Sequence, residues 1–398
     1  MNFSQLVSGD GLFSDGDWIE KKDQDINGRV RLIQLADIGD GYFKDKSSRY
    51  VTEDTASRLN CTFLEQGDIL IARLPDPLGR ACIFPLKGQY ITAVDIAILR
   101  IKNRLYNPRY IMYLINSPQF RKSISCYESG TTRKRISRRN LDKIQFNVPD
   151  ITVQERIVSK IEELFSKLDA SVEELKTAKE KLKVYRQAVY SSVYDKLCDL
   201  QPITSFFEIT GGLTKNSRRN ELSLQMPYLR VANVYYNHLD LSEIKEIGVT
   251  EQEVDRCLLE KNDLLFVEGN GSKTQIGRVA IWNGQIPNCL HQNHIVKGRP
   301  LGNMLSEYAL YYLISNEGRK QIVNIAKSTS GLYTLSTNKI KGLRVPYCDL
   351  NAQKRILDDI KEKLSVYDSI EQTIDTSLQQ AEALRQSILK QAFEGRLS

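Results

Sequence analysis

Two stretches of the chain carry the same pattern of apolar and polar positions. From Pro149 to Pro202 neither Gly nor Pro interrupts the sequence, and apolar residues recur at Ile157, Ile161, Leu164, Leu168, Leu175, Leu182 and Val189. Ile161, Leu168, Leu175, Leu182 and Val189 are each seven apart, the heptad spacing that pairs helices side by side. The other seam position holds Leu164, Ser171, Ala178 and Tyr185, and its small residues predict close approach of a partner helix. After Pro346 the pattern returns as Ile356, Ile360, Leu364, Tyr367, Ile370, Ile374, Leu378, Ala381, Leu384 and Ile388, with Gly395 as the sole breaker. The copies open on Gln154-Glu-Arg-Ile and Gln353-Lys-Arg-Ile, 199 residues apart in a chain of 398. Each spacing predicts a helix of roughly 40 residues, about 60 Å long at ~1.5 Å per residue. Outside the stripe both stretches are polar, so neither buries enough alone. They are expected to pack on each other as a long antiparallel pair.

The repeat extends beyond the helices. IQLADI (Ile33–Ile38) matches LRVANV (Leu229–Val234), and GDILIAR (Gly67–Arg73) matches NDLLFVE (Asn262–Glu268). YLINS (Tyr113–Ser117) matches YLISN (Tyr312–Asn316), and SGTTRKRIS (Ser129–Ser137) falls opposite SGLYTLS (Ser330–Ser336). Both halves run through Val-Pro, at Val148-Pro149 and Val345-Pro346, into the helix. Short apolar runs such as Asp68–Ala72 and Ala93–Ile101, with turn residues at Gly39-Asp40-Gly41, Pro75-Asp76-Pro77 and Gly88, predict strands. A helix is expected near Pro108–Ile124, with a counterpart near Ser306–Ile325. The expected fold is therefore α/β (α+β). Two strand-rich globular domains (1–149 and 199–347) stand in tandem repeat, each followed by a long helix (150–198 and 348–398), and the helices pair as an antiparallel coiled coil.

A chain of this length can hold two or three domains. Its 41% hydrophobic and 26% charged residues are ordinary for a globular protein. No run approaches the ~18 apolar residues that span a membrane, and MNFSQLVSGDG lacks the features of a signal peptide, so a cytoplasmic protein with no membrane partner is expected. The seven Cys are scattered with no C-x-x-C, which fits reduced thiols better than a disulfide framework or a zinc site. The net charge of +7 is unevenly spread. Lys+Arg against Asp+Glu is 23 to 17 in residues 1–149, 9 to 9 in 150–198, 17 to 15 in 199–349 and 7 to 8 in 350–398. The helical segments are neutral, and a polyanion would be met on the other two.

Several fragments of catalytic motifs do not hold. Asn107-Pro-Arg-Tyr110 resembles a damaged amino-methyltransferase motif lacking its second Pro, and reads more simply as a capped helix start. Gly269-Asn-Gly-Ser-Lys-Thr274 has Ser272 where a phosphate loop needs Gly, and reads as a polar turn. His291 and His294 lack a third ligand at metal-site spacing, and His294 falls opposite Ile96, a packing position. No carboxylate cluster with a Lys suggests a nuclease. No catalytic residue and no metal ligand is assigned, and the chain is expected not to be an enzyme.

The stretch best suited to DNA is SGTTRKRISRRN, Ser129–Asn140. Thr131 and Thr132 lead into Arg133, Lys134, Arg135, Arg138 and Arg139, a set suited to phosphates, with Arg also shaped for a guanine edge. The matching stretch has lost these charges but keeps small hydroxyl residues, Ser330 among them, and adds Tyr333. Further candidates are Arg73, Arg80 and Lys87 in the first half, and Arg218, Arg219, Lys273 and Arg278 in the second.

With this plan in view, the whole chain resembles the specificity subunit of type I restriction-modification enzymes. The SGTTRKRIS loop, the Val-Pro close, the Gln-Glu/Lys-Arg-Ile helix start, LFSDGDWIEKKD, GDILIAR and the C-terminal SILKQAFEGRL carry the likeness. One departure is the end of the first helix, QAVYSSVYDKL, which lacks the Gly of KQAFEGRL and is expected to dock differently. The resemblance implies that 1–149 and 199–347 are target recognition domains, each reading half of a split site in double-stranded DNA. The helices would be spacers and docking surfaces for two methyltransferase subunits, with Ile161, Leu168, Leu175, Leu182, Val189, Ile360, Tyr367, Ile374, Ala381 and Ile388 on the contact stripe. Restriction-translocase subunits would complete the complex. No cofactor would be bound directly, since S-adenosylmethionine, ATP and magnesium belong to the partner subunits. The alternatives are a coiled-coil adaptor without a DNA role, favoured only by the neutral helices, and a self-contained methyltransferase, opposed by the missing motifs.

Overall fold

The duplication seen in the sequence reappears as a duplication of sheets. A computed structural model describes residues 1–7, 9–130, 133–193, 199–270, 272–326 and 333–397. The chain forms two compact units, Met1–Leu175 with Thr376–Ser398, and Lys176–Asp375. The first contains an antiparallel sheet in the order Leu12–Asp15, Ile96–Arg100, Ile69–Ala72, Ala81–Ile83. A smaller sheet runs Arg49–Val51, Val30–Ile33, Tyr90–Thr92. The second unit repeats both orders, with Phe207–Gly211, Ile295–Pro300, Leu264–Val267, Val279–Ile281, and with Lys245–Gly248, Gln225–Leu229, Leu290–His291. In each small sheet the middle strand is antiparallel to one neighbour and parallel to the other.

The predicted strand at Asp68–Ala72 forms at Ile69–Ala72, and every residue of it is buried. Successive side chains of a strand point to opposite faces. Ile69 and Ile71 enter a core shared with helices, while Leu70 and Ala72 enter a second core with Cys82, Ile96 and Ile98. Leu264–Val267 divides in the same way, Leu264 and Phe266 on one face, Leu265 and Val267 on the other. A strand covered on both faces reads as a continuous apolar run, and that is how both are spelled.

The expected helix at Pro108–Ile124 is two, Pro108–Asn116 and Pro118–Ser125. Pro118 disfavours helical geometry at Ser117, which is extended and caps the second helix through Phe120 N–H. Asn107 caps the first, as predicted. Ser306–Ile325 is likewise divided into Ser306–Ile314 and Asn316–Ala326, at an extended Ser315 that no proline announces.

The two long helices are Ile151–Ser191, 41 residues, and Leu350–Phe393, 44 residues. In the first unit Val158, Ile161 and Phe165, near the start of one, share a core with Ile388, Leu389 and Ala392, near the end of the other. In the second unit Val189, Tyr190 and Val193, at the end of the first helix, share a core with Leu357 and Ile360, near the start of the second. Start meets end in both, so the pairing is antiparallel as the pattern predicts. Asp169 meets Arg385 in the first unit, and Lys179 meets Asp375 in the second. Ile161, Leu182, Val189, Ile360, Tyr367, Ile374 and Ile388 are buried, and Leu168, Leu175 and Ala381 half-buried. The second seam position departs from expectation. Ser171, Ala178 and Tyr185 are exposed, as are Ile370 and Leu384, so small residues do not mark a close approach. A seven-residue repeat drifts by about 20° per heptad on an ordinary helix, so one stripe cannot hold both positions at the contact over this length. Gly395, at φ +71°, closes the C-terminal helix, with Arg396 N–H donating to Gln391 O. The corresponding end of the first helix runs into residues 194–198, outside the described residues. Among the described residues no helix is long and apolar enough to cross a membrane.

Candidate nucleic-acid interface

The basic stretch forms a closed loop. Ser129 and Arg135 exchange backbone hydrogen bonds of 2.8 Å in both directions. Gly130 turns the chain at φ +98°, where an added Cβ would lie 2.4 Å from Arg133 O. Below this closure Ile136 N–H donates to Arg73 O, and Arg73 Nε donates back to Ile136 O at 3.0 Å. Ile136 is fully buried, so the loop is rooted in the core while Arg133, Lys134, Arg135 and Arg139 are exposed. Lys134 is held by Glu128 at 2.5 Å. Thr131 and Thr132 lie outside the described residues.

In the second unit Leu335 N–H donates to Glu268 O at 2.6 Å, repeating the bond from Ile136 to Arg73. Gly269–Asn270 pairs with Tyr333–Thr334 above it. The two loops are thus rooted at matching backbone positions. Tyr333 is half-buried at this root, and Ser330 lies outside the described residues. Lys273 and Arg218 are exposed, as Lys87 is in the first unit.

Other candidate cations are turned inward. Arg73 pairs with Asp15 and donates to Val94 O, bracing the loop root. Arg138 reaches the same Asp15 at 3.3 Å and covers the Phe13 ring. Arg80 is 6% exposed and donates to the carbonyls of Ile38, Leu35, Leu74 and Pro77. Arg278 is its counterpart. It is 9% exposed, donates to Val231 O as Arg80 does to Leu35 O, and covers Tyr235. Arg219 makes a bidentate pair with Glu253 at 2.7 and 3.0 Å and donates to Thr214 O and Gly248 O. Its hydrogen bonds hold the Glu253 carboxyl down at about 2. Arg80, Arg219 and Arg278 are thus buried and Arg73 half-buried, where the sequence left them as candidate DNA contacts. A buried guanidinium needs internal partners; Arg73, Arg80 and Arg219 have several, while Arg278 has the Val231 carbonyl and the Tyr235 ring, and its Nε is without a hydrogen-bond partner.

The histidines also depart from expectation. His291 is the buried one, with Nδ1 2.8 Å from Ile295 O, and burial pushes its pKa down to about 4. His294 is exposed and 3.1 Å from Glu268. The matching strands begin at Ile96 and Ile295, so His294 stands opposite Asp95 rather than Ile96. Among the described residues no group of three or more His, Cys, Asp or Glu is placed to hold a metal.

The model for the type I restriction modification DNA specificity domain matches twice, at residues 11–181 and 199–380. The chain belongs to this family. It is 27% identical to the EcoKI specificity subunit of Escherichia coli K12, over 95% of this chain and 85% of that one. It is 25% identical to the StySPI specificity subunit of Salmonella potsdam, over 74% and 66%. A chain from a structure of type I restriction-modification complex assembly shares the fold at a TM-score of 0.73 and 15% identity, over 100% of this chain and 97% of that one.

Two repeated clamps of this specificity-family chain escaped the sequence reading of sites. Gln154 and Gln353, which open the long helices, are fully buried. Gln154 accepts from Asn107 N–H and donates to Leu105 O and Pro149 O. Gln353 accepts from Leu305 N–H and donates to Cys348 O. Each ties a helix start to its recognition domain. Asp68 pairs with Arg100, and Asp263 with Arg299, both carboxylates fully buried. Their identity at matching places in the two halves was the available signal.

Proposed function

We propose that this chain gives a type I restriction-modification complex its DNA specificity by reading a bipartite site, one half with each unit. The observation that carries this reading is the pair of loops rooted at matching backbone positions, Ile136 on Arg73 and Leu335 on Glu268, with different chemistry at their tips. Exposed Arg133, Lys134 and Arg135 suit phosphates and guanine edges. Tyr333 and the hydroxyl-rich second loop suit a different half-site. Two readers of one design and unlike tips fit an asymmetric split sequence better than one continuous target.

The long helices set the distance between half-sites, as spacing rules do for paired readers generally. Their neutral charge leaves the intervening DNA unheld and unread. Two methyltransferase subunits dock on the helices, and restriction-translocase subunits complete the assembly in the cytoplasm. S-adenosylmethionine, ATP and magnesium serve the reactions of those partners, and this chain has no catalytic step of its own. The test is co-expression with the cognate methyltransferase subunit and single-molecule mapping of methylated adenines. A split motif with a fixed unread gap is expected. A continuous motif would overturn the two-reader plan, and a complex that forms but methylates nothing would favour a structural adaptor.

A further inference from the structure

The duplication provides an internal control for one arginine. Arg121 in YLINSPQFRK and Arg319 in YLISNEGRK occupy matching places, each early in the second helix of its pair. Both donate Nη1 to a carbonyl at the turn that carries the repeated Gly-Arg, Leu78 O in the first unit and Gly277 O in the second, each at 3.1 Å. In the first unit Arg121 Nη2 also donates to Asp40 and Asn116, 2.8 Å each. The second unit has Tyr236 where the first has Asp40. Arg319 accordingly covers the Tyr236 ring at 5.0 Å, and its Nη2 is buried without a hydrogen-bond partner. Burial holds Arg319 below its ordinary pKa, opposed only by Tyr236.

Arg319 lines a cavity of about 470 Å³ that also presents Lys183, Arg186, Gln187, Asn237 and Asn316, and no carboxylate. Arg186 covers Tyr367 at 5.2 Å and donates to the Tyr190 hydroxyl, while the Tyr367 hydroxyl donates to Glu371 at 2.9 Å. Lys183 also meets Glu180 at 2.7 Å, a pair in which both side chains are more than half exposed. A buried guanidinium without a counter-charge is costly, and in the first unit Asp40 offsets part of that cost for Arg121.

We propose that the cavity in the second unit is a site for a phosphate group, carried by a free nucleotide or by a nucleic-acid backbone. A phosphate offers several acceptor oxygens and enough charge to answer three cations, and a guanidinium binds it with paired hydrogen bonds. The volume accepts a mononucleotide. The three amides supply neutral donors around it. The inference stands apart from the reading of half-sites, because it rests on the missing counter-ion of Arg319.

The test is calorimetric titration of the full chain with inorganic phosphate, adenosine 5′-monophosphate and adenosine. Saturable binding of both phosphates, and none of adenosine, is expected. Tyr236→Asp gives Arg319 the carboxylate that Arg121 has, and should weaken phosphate binding at least tenfold. Arg319→Gln should do the same, and decides the matter if losing the Tyr236 hydroxyl bond to Thr274 O prevents folding. Displacement of the monophosphate by duplex DNA assigns the phosphate to a backbone, and simultaneous binding assigns it to a free nucleotide. Absence of saturable binding, equal binding of adenosine, or unchanged affinity in both variants would overturn the proposal.

Discussion

The two units share several buried polar pairs and differ most at their exposed loop tips. Asp68–Arg100 and Asp263–Arg299 are the same pair, and each carboxylate also accepts the backbone N–H three residues before it. Arg80 and Arg278 reach matching carbonyls, and Gln154 and Gln353 clamp matching helix starts. At the loop tips the first unit has exposed Arg133, Lys134 and Arg135 where SGLYTLS of the second has no charge. A buried polar group left without its partner costs the fold directly, and both copies keep these three buried arrangements. An exposed tip carries no such penalty, and its chemistry is free to follow what it binds.

The largest expected effect breaks the first agreement. Asp68→Ala leaves Arg100, 15% exposed, with Glu65 and the Phe63 carbonyl, and Asp263→Ala leaves Arg299 with Glu260 and the Leu258 carbonyl. Each should cost about 3–5 kcal/mol. Urea denaturation of the full chain should show equal losses from the two variants. A loss in one unit only would mean that the repeated geometry hides unequal roles.

The next effect sharpens a difference. His291 occupies the small-sheet position of Thr92, and its folded pKa of about 4 lies below the unfolded value of 6.5. The unfolded chain therefore binds the proton more readily. The stability is present above pH 6.5 and is lost as pH falls towards 4, by about 3 kcal/mol over that window. Asp17 in the first unit works the other way. Burial raises it to about 6 from 3.8, so its contribution is present below pH 3.8 and lost as pH rises through 6. Acidification should weaken the second unit more than the first. His291→Thr should flatten that response in unfolding measured at pH 7 and pH 4.5, and an unaltered slope would contradict it.

A smaller loss is expected from the helix clamps. Gln154→Ala removes three hydrogen bonds and Gln353→Ala two. Losses of about 1–3 kcal/mol are expected, larger for Gln154. Amide exchange at the first turns of each helix would register them, and equal protection in wild type and variants would show the clamps to be idle.

These clamps also mark what the sequence could and could not disclose. The helix pair was legible because Ile161, Leu182, Val189, Ile360 and Ile388 keep a period that strands and loops do not share. The repeat was legible because strand runs such as GDILIAR and NDLLFVE must be apolar on both faces. The burial of Arg80 and Arg219 was not, since an arginine with internal partners is spelled like one in solvent. A clue lay in the repetition of Gly79-Arg80 and Gly277-Arg278 between apolar residues, where a DNA contact would be free to diverge. The helix break at Ser315 had no proline to betray it, and the register of His294 depended on a one-residue difference between the halves.

The smallest expected effect on folding is also the sharpest test of the loops. Arg133, Lys134 and Arg135 are exposed, and replacing each with Ala should change stability by no more than about 0.5 kcal/mol. On DNA the same changes should be visible in salt dependence. Each lost phosphate contact lowers the slope of log affinity against log salt by about 1. Tyr333→Ala in the second loop removes no charge, so it should weaken binding while leaving that slope unchanged. If both loops altered the slope equally, their exposed chemistry would not have diverged in function. If neither altered it, the cations of the first loop would not meet phosphate. The outcome expected here, a slope that follows one loop and an affinity that follows both, is what two readers on one scaffold require.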